Sequence, residues 1–303
     1  MDSHSDLREF LMTRRARLTP EEAGLPVFGG RRRVDGLRRE EVALLAGISV
    51  EYYTRLERGN ATGVSESVLE GISRALQLDD AEHAHLHDLV RATTASPGAS
   101  RRRSTSRAGQ IPASVQQLID AMKDIAVVVQ NGRLDIVATN SLGRALYSQM
   151  YVEPARPANF ARFVFLDPRA YEFYLDWDLS ARQTVALLRS EAGRAPHDRA
   201  LSNLVGELST RSDTFRTLWA AHNVREHRTG RKVVHHPVVG DLELSFEGLQ
   251  IASAPGLLML PYTAEPGSAS HDKLQLLANW AATTRNEAAA SEPVPPDPLI
   301  REQ

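Results

Sequence analysis

Histidines spaced for metal binding are the first chemistry the chain offers. In AEHAHLHD, His83, His85 and His87 alternate. On a helix, His83 and His87 share a face four residues apart and could hold an ion. Nothing nearby in the sequence supplies a third ligand, so a solvated helical face is the expectation and no metal is expected. The adjacent His235 and His236 lack the helical spacing and the glutamate of a zinc-protease motif. Glu40 and Glu41 are neighbours on a helix and do not face each other. There is no cysteine, which removes thiol catalysis, cysteine-held zinc, iron–sulfur clusters and disulfides. Nucleophile-elbow, phosphate-loop and dinucleotide-loop patterns are missing too. No catalytic residue, no cofactor and no enzyme activity are therefore expected. What remains is a group of arginines: Arg31, Arg32, Arg33, Arg38, Arg39, Arg55 and Arg58, followed by Asn60. Arginine's planar fork suits phosphate and the guanine O6/N7 edge. Residues 31–58 hold seven arginines against five acids, in a chain of net charge −2. The basic character is local and modest, against a large non-specific polyanion binder.

The elements that must position these arginines are helical. With 303 residues, 42% of them apolar and 24% charged, the chain is expected to hold about two domains. Residues 1–92 carry five helical patterns, at Asp6–Arg17, Arg38–Leu45, Val50–Arg58, Glu66–Leu76 and Asp80–Ala92. Residues 93–110, TTASPGASRRRSTSRAGQ, cannot bury a core and are expected to be a linker. In LRREEVALLAGISVEYYTRLERG, Leu37–Gly59, the first helix is expected to bury Val42, Ala43 and Leu45. Gly47 permits a left-handed exit and Ser49 caps the next helix. Tyr53 and Leu56 then face inward, leaving Val50, Glu51, Tyr52, Thr54, Arg55 and Arg58 on outer or flanking faces. Two short helices joined at a glycine-containing turn make the helix-turn-helix unit, whose second helix enters the major groove of double-stranded DNA. One short reading helix covers few base pairs, so a homodimer on palindromic half-sites is expected.

Residues 111–284 read differently. DIAVVVQ (Asp124–Gln130), Asn131-Gly132 and RLDIVAT (Arg133–Thr139) form a strand, a hairpin signal and a partner strand. Helices are expected at Ser141–Met150, Arg169–Trp177, Ala181–Gly193, Arg199–Ser209 and Thr214–His222. Strands follow at Lys232–Val239, Asp241–Ile251 and Leu257–Thr263, then a helix at His271–Thr283. Two strands, a helical insertion and three strands predict an α+β domain with a five-stranded antiparallel sheet. Residues 285–303, with SEPVPPDP, are expected to be a disordered tail. The start of the chain does not read as a secretory signal, and no apolar stretch of the sequence is long enough to span a bilayer. A cytoplasmic protein without membrane contact is expected.

Residues 37–59 resemble the helix-turn-helix of Xre-type transcription regulators. The longer Leu18–Gly59 resembles the MmyB-like group. FLDPRAYEFYLDW (Phe165–Trp177), GRKVVHHPVVGDLELSFEGL (Gly230–Leu249) and YTAEPGS (Tyr262–Ser268) are similar to that group's PAS-like ligand-binding domain. The resemblance implies base contacts from Val50, Glu51, Tyr52 and Arg55, and phosphate contacts from Arg39, Ser49, Arg58 and Asn60. It makes Glu57 a structural ion pair, and Arg55 weighs a contact with Glu51 against base reading. It also implies a small apolar, lipid-like or fatty-acid-like ligand. The pocket candidates are Phe163, Phe165, Tyr174, Trp177, Trp219, His222, His235, Phe246 and Tyr262, most of which could equally be ordinary core. Arg162, Arg169 and His236 are further possible polar anchors. Leu134 and Thr139 depart from the group, whose second strand carries tryptophans there. The function expected is a ligand-controlled, sequence-specific DNA-binding regulator. The alternative is a lipid-binding or protein-interaction module whose helix-turn-helix no longer reads DNA, which Glu51 and the small basic excess permit.

Overall fold

Gly47, at φ +69°, closes one short helix and opens the turn into the next. Its neighbour Ile48 donates from its amide to the Ala43 carbonyl at 3.0 Å, and the Gly47 amide donates to Leu44, the paired bonds of a left-handed helix exit. Around this turn a computed structural model, describing residues 3–26, 34, 36–94, 111–152, 157–224 and 229–291 (the last eight by backbone alone), places five helices. They are α1 (Ser3–Arg17), α2 (Arg39–Ala46), α3 (Val50–Glu57), α4 (Glu66–Ala75) and α5 (Asp80–Thr94). Ser49 caps α3 by accepting from the Tyr52 amide at 3.1 Å. Leu7, Phe10, Leu11, Leu37, Val42, Tyr53, Leu56 and Ile72 form a core with essentially no exposure. One expectation fails: Leu45 is 36% exposed, because Ala43 rather than Leu45 completes the buried face of α2. α5 continues through residues 93 and 94, which were expected in the linker; residues 95–110 lie outside the described set.

The second part begins with a helix the sequence reading passed over, α6 (Ala113–Ala121). The hairpin β1 (Ala126–Asn131) and β2 (Ile136–Thr139) follows, then α7 (Ser141–Leu146) and a 3₁₀ turn at Ser148–Tyr151. The helical insertion is α8 (Phe160–Leu166), also unforeseen, α9 (Arg169–Phe173), α10 (Trp177–Arg194), α11 (Arg199–Arg211) and α12 (Asp213–Ala220). The strands β3 (Thr229–His236), β4 (Gly240–Glu247), β5 (Leu249–Gln250) and β6 (Leu257–Thr263) complete the sheet, and α13 (Ala269–Ser291) packs over it. The sheet is antiparallel in the order β2-β1-β6-β4-β3, with short β5 paired to β6. The single strand expected over residues 241–251 is thus split in two. The hairpin turn is longer than Asn131-Gly132 alone. Leu134, at φ +64°, donates back to the Asn131 carbonyl, and a bulge separates Val129 from Gln130. Leu134 therefore lies in the turn rather than in β2. Residues 285–291, expected as tail, continue α13.

β1 is buried on both faces, which explains its unbroken valine run. Ala126 and Val128 enter the main core with Leu146, Phe173, Leu244 and Tyr262. Val127 and Val129 face Ile119 of α6 and Met259. Asn140 ties this corner together. Its Oδ1 accepts from the Val127 and Gly143 amides, and its Nδ2 donates to the Met122 and Ile125 carbonyls.

The two domains touch. α5 packs on α10, so closely that a Cβ on Gly193 would lie 2.5 Å from the His85 ring. Arg14 of α1 donates to the His222 carbonyl and, at 3.2 Å, to Asn223 Oδ1. Val224 joins the core of the first domain.

Candidate nucleic-acid interface and sensor cavity

Glu57, at the end of α3, is 1% exposed and would be costly there without partners. It has two. Arg15 of α1 approaches Oε1 at 2.6 Å, and Arg39 at the start of α2 approaches Oε2. The pair locks α1, α2 and α3 together, as the ion-pair reading of Glu57 anticipated. Arg39, expected at a phosphate, has its Nε committed to Glu57, and its half-exposed side chain braces α3.

With Tyr53, Leu56 and Glu57 buried, the opposite face of α3 is free. Glu51, Arg55 and Arg58 are exposed, and Val50, Tyr52 and Thr54 are half-buried. The Arg55 guanidinium sits 4.8 Å over the Tyr52 ring rather than pairing with Glu51. Stacking on an aromatic face leaves the planar edge of an arginine available for a bidentate partner. Ser49 uses its oxygen as a cap, yet its hydroxyl proton remains available. Asn60 is exposed and accepts from the Thr62 amide at 3.2 Å. Val50, Glu51, Tyr52 and Arg55 thus form one edge of α3, with Ser49, Arg58 and Asn60 at its two ends. Arg31, Arg32 and Arg33 lie outside the described residues.

In the second domain a cavity of about 60 Å³ lies between α10 and the sheet, lined by Leu134, Phe160, Tyr174, Thr184, Lys232 and Phe246 among others. Lys232 is its unexpected member. Its Nζ lies 5.4–5.9 Å from the ring centres of Phe160, Tyr174, Phe246 and Tyr262. No carboxylate pairs with it among the described residues, and burial pushes its pKa down to about 8. Nothing in the motif GRKVVHHPVVG distinguishes this lysine; only the alternation of β3, which turns Lys232, Val234 and His236 to one side, could have found it. A second, more open cavity of about 320 Å³ is lined by Met150, Phe163, Leu166, Arg162, Arg169 and Arg211. Its arginines are already paired, Arg162 and Arg211 with Glu207 and Arg169 with Asp167.

The aromatic pocket candidates separate accordingly. Tyr174, Phe246 and Tyr262 surround the lysine, and Phe163 borders the second cavity. Phe165, Trp177 and Trp219 do not line either. Phe165 packs edge-on against Phe215 and Trp177, Phe215 stacks on Trp219, and Trp177 Nε1 donates to the Val164 carbonyl at 2.9 Å. They hold the helical insertion together. His235 is on the wrong side of β3: half-exposed, it pairs with Asp241 at 2.6 Å. His236 is the inward one, fully buried, donating through Nε2 to the Ala145 carbonyl and accepting at Nδ1 from the Val238 amide. His222 is buried at the domain interface instead, between Glu9 and Arg189.

Two family models match this chain. Residues 6–86 match a helix-turn-helix domain, and residues 111–277 match the MmyB-like transcription regulator ligand binding domain. No curated protein matches. Among the described residues no helix is long and apolar enough to cross a membrane.

Proposed function

Because this chain belongs to the MmyB-like transcription regulators, through a match that spans most of its second domain, we propose that it is an Xre-type, sequence-specific DNA-binding regulator acting as a cytoplasmic homodimer. The observation that carries this reading is the free edge of α3. Glu51 and Arg55 are exposed and Tyr52 is half-buried along this edge, and Val50 at its start packs partly on the core, on a helix clamped behind by Glu57, Arg15 and Arg39. In this reading Arg55 forks onto a guanine, Glu51 accepts from a cytosine amine and Val50 meets a thymine methyl. Ser49, Arg58 and Asn60 fix the register on phosphates. The test is a mobility-shift titration on the protein's own upstream region. Arg55→Ala should weaken the specific site by about 5–150-fold, the roughly 1–3 kcal/mol of one bidentate base contact, and leave non-specific binding nearly intact. Equal binding of wild type and variant to every sequence would reject the reading.

The proposed ligand is small, largely apolar and anionic at one end, as a fatty acid is. Lys232 supports the anion, since a cation among four rings with no carboxylate paired to it among the described residues is short of a partner. The same rings support the apolar part. A cavity of about 60 Å³ is well below the ~300–1,000 Å³ of ligand pockets, so entry of an acyl chain requires the rings and α10 to part. That requirement supplies a mechanism. α10 also packs on α5 of the DNA-binding head, so a ligand with higher affinity for the parted form would shift the head's position by that difference.

One observation favours a protein contact as a second reading. Leu44 on α2 is 72% exposed, beside half-exposed Leu45. Salt separates the two readings: DNA affinity falls steeply with ionic strength, whereas an apolar protein contact hardly changes.

A further inference from the structure

Glu70 of α4 and His83 and His87 of α5 bring one donor atom each within 4.8 Å of one another. The sequence offers only the two histidines; the third donor arrives from the neighbouring helix once α4 and α5 pack. His83 Nε2 lies 3.0 Å from Glu70 Oε1. The two imidazole rings are 4.5 Å apart, centre to centre, and tilted by 50°. An ordinary surface ion pair would account for Glu70 and His83. It does not account for His87, whose Nε2 is buried and makes no hydrogen bond among the described residues. A buried polar atom left without a partner costs about 1–3 kcal/mol. An ion held by all three side chains would satisfy it.

We propose that Glu70, His83 and His87 form a binding site for a divalent transition-metal ion such as zinc. Two imidazoles and one carboxylate are a donor set that zinc accepts, at about 2.0–2.2 Å each, with a fourth position left for water. Hard ions such as magnesium and calcium prefer all-oxygen sets. Donors around a tetrahedral zinc stand about 3.4 Å apart at those bond lengths. Donor atoms that lie within 4.8 Å of one another need close by no more than about 1.4 Å, which side-chain rotation of the half-exposed His83 and Glu70 supplies. The ion would fasten α4 to α5. α4 packs on α2 of the helix-turn-helix, and α5 packs on α10 of the sensor domain, so the brace would sit at the seam between reading and sensing parts.

The experiment uses the full chain without a histidine tag, stripped with chelator and titrated with zinc by calorimetry and with cobalt by visible absorption. One equivalent of zinc should bind and raise the melting temperature, and cobalt should show the d–d bands of a low-coordinate centre. Glu70→Gln, at a half-exposed position that should not disturb folding, and His87→Ala should each weaken zinc at least tenfold. His235→Ala should leave it unchanged. Absence of stoichiometric zinc binding, or binding that survives both Glu70→Gln and His87→Ala, would overturn the assignment.

Discussion

Glu9 of α1 and His222 beyond α12 meet at 2.5 Å between carboxylate and imidazole, so the first helix of the DNA-binding head is joined to the helical insertion of the sensor. The contact sits in a polar cluster. Arg189 of α10 donates to the Trp219 carbonyl at 2.7 Å, reaches Asp6 at 3.4 Å and lies 4.0 Å over the Trp219 ring. Arg14 is buried between Glu82, the His222 carbonyl and the Asn223 side-chain Oδ1. Such clusters are satisfied in few arrangements, so small shifts in α10 should reach α1 as discrete changes rather than gradual ones.

Cutting this connection has a stability cost that can be measured. Arg14→Met leaves Glu82 with Arg17 at 2.9 Å but orphans the His222 carbonyl and Asn223. We expect a loss of about 1.5–3 kcal/mol, the range for hydrogen bonds to a charged group, in urea denaturation of the full chain. An unchanged midpoint would mean that the domains are not energetically joined there.

Acid should loosen the same seam. Burial, with the nearby charges of Arg189 and His222, pushes His85 down to about 3. Burial and then Arg189 push His222 down to about 4 against the pull of Glu9. Both folded values lie below the unfolded 6.5, so the unfolded chain binds the extra protons. Stability is complete above pH 6.5 and falls as pH drops from 6.5 toward 4, by up to about 1.4 kcal/mol per unit for each histidine. His222→Asn, which tolerates the left-handed backbone at this position (φ +53°), should flatten the slope. A slope identical to wild type would place the proton elsewhere.

The clamp behind α3 predicts a different signature from the reading edge. Glu57→Gln removes the charge between Arg15 and Arg39 and leaves two guanidiniums facing a neutral amide. We expect about 3–5 kcal/mol of destabilisation, the range for breaking a buried ion pair, seen as a lower melting temperature. DNA binding should weaken for all sequences alike, because register and not base choice is disturbed. A change in sequence preference at unchanged stability would instead put Glu57 at the bases.

How much of this was legible in advance follows from where the information sits. Gly47, Ser49, Tyr53 and Leu56 act on neighbours a few residues away, and their helix-turn-helix could be read directly. β6 was read to its boundaries because Leu257–Thr263 is a compact apolar run. α8 is hidden, since FARFVFL is apolar at every position but Arg162 and shows no helical period, and its start depends on Asn159, which accepts from the Arg162 amide while donating to Asp135 twenty-four residues away. Which of His235 and His236 turns inward is not legible locally, because a strand's parity depends on register with β4, which is set by long-range pairing. Lys232 and Glu70 share that difficulty: each gains meaning only from residues brought to it by packing.

Lys232 supports the sharpest of these expectations. Its folded pKa of about 8 lies below the unfolded 10.5, so between those values the unfolded chain holds the proton more tightly and stability rises with pH. Below pH 8 the buried charge costs up to about 3 kcal/mol. Lys232→Met keeps the length and removes the charge, so it should stabilise the apo protein at pH 7 by up to that amount and abolish the rise between pH 8 and 10.5. If Lys232 anchors an anionic head, the same variant should lose at least tenfold in affinity for a fluorescent long-chain carboxylate, while the corresponding alcohol binds both proteins alike. A more stable variant that binds the carboxylate as wild type does would separate the lysine from the ligand and leave it as a strained piece of core.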